Sequence, residues 1–198
     1  MARPIAKDHD AKRHHILKRA AGVFAAEGVA RATMAQVASA CGISKANIYH
    51  YYDSKDALLF DILDTYLSAL RDRIAGLSLS GLAPEAQLHL IIQETLLAYD
   101  GMDAEHQIQI EAIPLLPTTQ QAVLKDYQRQ LVAETSAILG TVAPNAFADD
   151  PARLRSATMA VFGMLNWFYV WNSDADRSAR LSYARMVTDM TVKGVTGL

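Results

Sequence analysis

Apolar side chains recur along this chain at intervals of three and four, and no stretch alternates apolar and polar convincingly, so the pattern predicts helices throughout. Ile16, Ala20, Val23 and Phe24 follow helical spacing, with Glu27 on the next turn, and Gly28 marks a stop. Thr33 reads as the N-cap of a helix Met34–Cys41 whose Ala35, Val37 and Ala38 turn inward. Gly42 follows, where a tight turn needs a left-handed residue, and Ser44 reads as the cap of Lys45–Tyr52. Asp53 and Ser54 interrupt the pattern before a long helix from Lys55 to about Ala75, and 76–84 forms a connection. Beyond it the periodicity predicts helices near 84–99, 103–113, 117–140, 151–172 and 176–194. Pro84 and Pro151 suit first turns, Pro114 and Pro117 break what would otherwise be one helix, and 141–150 reads as an exposed loop. The expected fold class is all-α: an N-terminal three-helix domain, 1–55, and a larger helical domain, 56–198.

The stretch TMAQVASACGISKANIYHYYDSKDALL, residues 33–59, holds the chemistry. Two short helices around a glycine turn form a helix-turn-helix, the second of which enters a DNA major groove with its N-terminal side chains toward base edges. Lys45 suits guanine or phosphate and Asn47 suits adenine or phosphate, while Tyr49 and His50 carry polar tips on ring bodies. Ser44 and Thr33 suit phosphates as well as caps, and Lys55 adds a cation beside the backbone. These seven are the candidate DNA contacts. Ile43 and Ile48 read as core, and Tyr49 or Tyr52 also suits a packed aromatic.

Charge sharpens this picture. The net charge is −2, yet residues 1–55 hold nine Lys/Arg against four Asp/Glu, or +5, and the rest holds ten against seventeen, or −7. A basic end on an acidic body suits a polyanion, though a solvated face reads equally well from charge alone. Half the residues are apolar, enough for a substantial core. The one cysteine, Cys41, forms no intrachain disulfide and reads as a small buried residue. The opening lacks an apolar signal region and no apolar run approaches a membrane span, so a cytoplasmic protein away from membranes is expected. No P-loop, G-x-G-x-x-G, G-x-S-x-G or H-E-x-x-H occurs, and His89, Glu94, Asp103, Glu105 and His106 complete no metal-ligand spacing, so neither enzyme, cofactor nor metal is expected.

Residues 12–60 resemble the DNA-binding domain of the TetR family of bacterial regulators. The resemblance rests on Phe24 and Gly28 closing a basic first helix, then a Thr and an "IA"-type helix. Gly42-Ile43-Ser44 and the block Tyr49–Leu58, which matches Y-x-[YH]-[FY]-x-[SN]-K-[DE]-x-L, complete it. Val37 stands where Ile is commoner, and Ala46 where many members have Gly. The resemblance implies a homodimer on double-stranded operator DNA, paired through its last two long helices. It also implies a C-terminal domain that binds a small-molecule effector, with the helix from Lys55 as the link that changes the spacing of the two heads. An activator fits the sequence as well as a repressor does.

The segment ATMAVFGMLNWFYVWN, 157–172, is the most unusual of the C-terminal half. Its aromatics and methionines suit a core, a dimer interface or an apolar ligand wall, with Asn166 as a directed polar group. Met164, Asn166, Trp167 and Trp171 are the candidate effector contacts. The run Gly163-Met164-Leu165-Asn166-Trp167 with Trp171, and the tail 191–198 with Gly194, resemble TetR-type regulators of fatty-acid, steroid and phenylacetate degradation. That subgroup resemblance implies an acyl-CoA effector, its anionic head near cations such as Arg71, Arg73 or Arg129. A helical enzyme or carrier is the competing class, for which the sequence offers no catalytic constellation.

Overall fold

A computed structural model describes residues 3–172 and 175–197, with side chains from His9 onward; Leu198 of the tail lies outside the described residues. The described residues contain helices and no strand. In chain order they are α1 Arg3–Glu27, α2 Met34–Ala40, α3 Lys45–Tyr51, α4 Lys55–Ala75 and α5 Pro84–Ala98. There follow α6 Asp103–Ala112, α7 Thr118–Val142, α8 Pro144–Phe147, α9 Pro151–Trp171 and α10 Arg177–Val195.

The chain divides into two compact units. The head unit comprises residues 1–67 and 104–124, so α6 and the start of α7 join the first three helices and most of α4. Its core is built from Ile16, Leu17, Ala20 and Phe24 of α1, Val37 and Ala38 of α2, Ile48 of α3, and Leu58, Leu59 and Ile62 of α4. Phe24 is fully buried, and truncating such a ring costs about 3–5 kcal/mol. Gly28 and Gly42 both have positive φ, at 82° and 68°, and each turns the chain directly after a helix of the head.

The second unit comprises 68–103 and 125–198. Here α10 packs along α5, and α9 lies against both. Leu88, Ile92 and Leu96 of α5 meet a buried stripe of α10 containing Ala184, Val187 and Thr188, while Val161, Leu165 and Phe168 supply the inner face of α9. Asp150 and Asp176 cap α9 and α10 by accepting from the amides of Arg153 at 2.8 Å and Ala179 at 2.7 Å.

Two details depart from the periodicity. Residues 141–150 are not an open loop. There α7 runs on to Val142 and Pro144 starts the short α8, whose Phe147 is buried together with Val142 and Ala143. In α2, Ala35 is exposed and Met34 takes the inward place, because a seven-residue helix has room for only one apolar stripe.

Candidate functional site

The helix-turn-helix is held by its own caps. Thr33 and Gln36 form a reciprocal capping box: the Gln36 amide donates to Thr33 Oγ1 at 3.3 Å, and the Thr33 amide donates to Gln36 Oε1 at 2.9 Å. Ser44 Oγ accepts from the Asn47 amide at 3.1 Å and starts α3. Of the α3 side chains only Ile48 is buried. Lys45, Asn47, Tyr49 and His50 are exposed on the rest of its surface, and none of the four side chains is tied up by another described residue. Ile43 is half-buried beside them. The result is a short helix anchored by one apolar side chain and presenting polar groups elsewhere.

A second set of contacts fixes where α3 stands. Tyr52, just past its end, is buried and donates its hydroxyl to Asp61 Oδ2 at 2.6 Å. The Arg13 guanidinium of α1 forks onto both oxygens of Asp61, and its Nη2 also donates to Thr65 Oγ1 at 3.2 Å. Burial and the Asp61 hydrogen bond push the Tyr52 phenol well above its ordinary range, so it stays a donor. The hydrogen bonds to Asp61 likewise hold Arg13 firmly protonated against its partial burial. His9 stacks on Tyr51, with ring centroids 5.4 Å apart. Arg19 Nε donates to the Ala40 carbonyl at 2.9 Å, tying α1 to the end of α2.

Lys55 sits apart from the expected contact set. Its ammonium donates to the carbonyls of Val29, Ala30 and Ala32 at 2.9, 3.2 and 3.3 Å, closing the turn between α1 and α2. Three protons meet three acceptors, so the group works as a tie rather than as a spare cation. The basic end is in large part spent in the same way. Arg13, Lys18, Arg19, Arg31 and Lys55 all hold acceptors inside the head unit, and Lys45 has none among the described residues. Sequence reasoning missed Arg13 and Asp61, because 48 positions separate them and neither carries a local signature.

The head unit also contains a polar joint on α6. Lys18 Nζ of α1 donates to both oxygens of the buried Glu105, at 3.0 and 3.1 Å. Buried His106 places Nδ1 2.8 Å from the Tyr66 hydroxyl of α4 and 3.1 Å from Gln109 Nε2. These two neighbours identify His106 as a satisfied interior histidine. In the second unit, His89 Nδ1 lies 3.0 Å from Thr188 Oγ1.

The expected effector residues divide. Met164 and Asn166 are half-buried; the Met164 carbonyl accepts from the Tyr183 hydroxyl at 3.0 Å, and Asn166 Oδ1 accepts from the buried Tyr99 hydroxyl at 2.8 Å. Trp167 and Trp171 are on the outer surface of α9, 62% and 57% exposed, which does not suit walls of an interior cavity. Trp171 rests one side of its ring against Phe168 and Tyr183, at centroid distances of 5.1 and 5.3 Å. Met159, Val170, Met186 and Met190 are exposed on α9 and α10 as well. Of the cations named for an anionic head, Arg73 binds Glu94 at 2.7 Å, and Arg71 binds Asp72 and lies over the Tyr127 ring. Arg129 pairs with the exposed Asp126.

The family model described as bacterial regulatory proteins, tetR family, matches residues 16–62. A second, described as tetracyclin repressor-like, C-terminal domain, matches residues 81–195. The chain belongs to the TetR family. This TetR-family chain is 32% identical over 109 residues to the HTH-type transcriptional repressor KstR2 of Rhodococcus jostii, a match covering 54% of this chain and 52% of that protein. It thus spans about half the length of that curated relative. A TetR-family transcriptional regulator from Bordetella parapertussis superposes with a TM-score of 0.85 at 29% identity, covering 94% of this chain and 96% of the other. AibR, solved with isovaleryl coenzyme A and operator DNA, shares the fold with a TM-score of 0.74 at 20% identity, covering 90% of this chain and 97% of that one. Among the described residues of the TetR-family chain, no helix is long and apolar enough to cross a membrane.

Proposed function

We propose that this chain is a homodimeric repressor that reads a palindromic operator with α3 and lets go of it when a small apolar or acyl-CoA effector binds the second unit. The observation that carries the DNA reading is the face of α3: one buried anchor, Ile48, and polar side chains left uncommitted around it. Ser44, Lys45, Asn47, Tyr49 and His50 are the contact set, with Thr33 at the start of α2; Lys55 braces the turn behind them. Release requires the effector to bind the DNA-incompetent arrangement more tightly than the competent one. The acyl-CoA class is favoured by the run from Gly163 to Trp171, and by the isovaleryl coenzyme A bound to AibR. Regulation of fatty-acid, steroid or aromatic-acid breakdown follows from that class. Met164 and Asn166 are the residues retained for the effector, and the exposed stripe of α9 and α10 is the face for the second copy.

Fluorescence anisotropy on the DNA upstream of the protein's own gene tests the first half. Sequence-dependent binding that weakens steeply with salt is expected, since phosphate contacts release counterions. Lys45→Ala and Tyr49→Phe should each weaken binding by about 1–3 kcal/mol, roughly five- to a hundred-and-fiftyfold, with unchanged helical circular dichroism. Absence of any sequence preference at moderate salt overturns the reading. Adding octanoyl-CoA, octanoate and an aromatic acid to the bound complex then tests the effector class.

A further inference from the structure

Within the head unit, the first turns of α1 reach the end of α3. Arg13 forks onto Asp61, the carboxylate that also accepts from Tyr52 directly after α3. His9 lies one turn before Arg13 on the same face of α1. Its ring stacks on Tyr51, the last residue of α3, with 5.4 Å between centroids and 28° between planes. Successive turns of α1 thus hold successive residues at the end of the reading helix. His9 is exposed and Tyr51 half-buried, and neither the imidazole nitrogens nor the phenol hydroxyl has a partner among the described residues. The imidazole is therefore fixed by its face and leaves its nitrogens to the solvent. Of the charged groups around it, Arg13 and Asp61 answer each other and Lys12 is engaged elsewhere. Asp10 and, on α3, His50 are exposed, and no described carboxylate is bonded to the His9 ring.

We infer that His9 is a proton-gated contact to the operator backbone: its imidazolium, held on the Tyr51 ring, meets a phosphate flanking the bases that α3 reads. The inference rests on the proposed reading of DNA by α3 and adds to it a residue of a different helix, which the sequence did not single out. Histidine changes charge within the physiological pH range, whereas lysine and arginine keep theirs. A phosphate beside the ring favours the charged form, and by linkage the charged form binds the phosphate better. Operator binding therefore takes up a proton, and affinity rises as pH falls. The stack favours the same form, since the face of a phenol ring attracts a cation. Resting on Tyr51 also limits the freedom that the His9 side chain loses when DNA binds.

Anisotropy titrations of the DNA upstream of the protein's own gene test this with the full-length chain as wild type, His9→Phe, His9→Ala and His50→Gln, at about pH 6 and about pH 8. Phenylalanine keeps a ring on Tyr51 but carries neither charge nor donor. At the lower pH, His9→Phe should bind about threefold more weakly than wild type, with a salt slope shallower by about one. At the higher pH the two should coincide, and their melting temperatures should agree throughout. His9→Phe that follows wild type at both pH values, while His9→Ala is weaker, shows that the ring only packs and overturns the proposal. A loss in His9→Phe that is equal at both pH values and accompanied by a lower Tm makes the residue structural and also overturns it. A pH slope unchanged in His9→Phe but absent in His50→Gln assigns the proton to His50, with the same consequence. In all three cases wild type still prefers its own upstream DNA, so the reading by α3 stands. Wild type without that preference removes the α3 reading itself, and the His9 contact with it.

Discussion

Two faces of this molecule are left largely uncovered by the described residues, and they are opposite in chemical character. The surface of α3 is polar, with Lys45, Asn47, Tyr49 and His50 around a single buried isoleucine. The outer surface of α9 and α10 exposes six large apolar side chains, Met159, Trp167, Val170, Trp171, Met186 and Met190, among charged residues such as Arg185 and Asp189. Water is a good solvent for the first and a poor one for the second, so the same exposure carries different information. Polar groups that make no internal bond are available for a ligand that outcompetes water. Exposed rings and thioethers on two adjacent helices mark a surface that association would bury.

The strongest way to break this comparison is to charge the apolar face. Trp167→Glu, with Met190→Glu as an independent variant, should convert the protein to monomers in analytical ultracentrifugation. Operator affinity should fall by at least about a hundredfold, because the two half-sites are then bound separately. A dimer that persists in both variants shows that the stripe serves another partner. The polar face predicts the reverse pattern: Lys45→Ala leaves the dimer intact and weakens only DNA binding.

A smaller effect separates bracing from reading within the head. Lys55→Met keeps the aliphatic stem and removes the three bonds to Val29, Ala30 and Ala32. Loss of this charge-assisted set should cost about 2 kcal/mol, given its partial exposure, and lower Tm by roughly 4–8 °C for a chain of this size. The slope of operator affinity against salt should stay as in wild type. A slope reduced by about one, with Tm unchanged, would return Lys55 to the phosphate contacts.

The contrast also explains what could be read from the sequence. Local signals located the elements of the head: Thr33 and Ser44 announced caps, Gly28 and Gly42 announced turns, and the caps observed are the ones expected. The bounds of α5, α6, α9 and α10 fell within one residue of the periodicity, since Pro84, Pro151, Asp150 and Asp176 punctuate it. Partner choice across long separations was not legible. Nothing near Arg13 or Lys18 says that their charges are taken by Asp61 and Glu105, so the basic end looked more available than it is. Nor can composition say which side of an apolar helix is covered. Trp167 and Phe168 are neighbours in sequence, yet one is 62% exposed and the other 1%.

The smallest expected effect lies in a partly exposed ion pair of the second unit, where charge works for stability rather than recognition. Glu94 of α5 is pushed upward by burial, but hydrogen bonds from Arg73 and Gln93 outweigh this and hold its carboxyl below the usual glutamate value. A carboxyl whose value is lower folded than unfolded favours the folded state when ionised. The contribution is complete above about pH 4.5 and is lost as pH falls through the lowered folded value. Arg73 is 40% exposed, so solvent screens the pair and its removal should cost under about 1 kcal/mol. Arg73→Gln should therefore lower Tm slightly at pH 7, by less in high salt, and the gap from wild type should close as both proteins are acidified below pH 4. A gap that stays constant with pH and salt would mean that the Arg73 stem, by packing along α5, matters more than its charge.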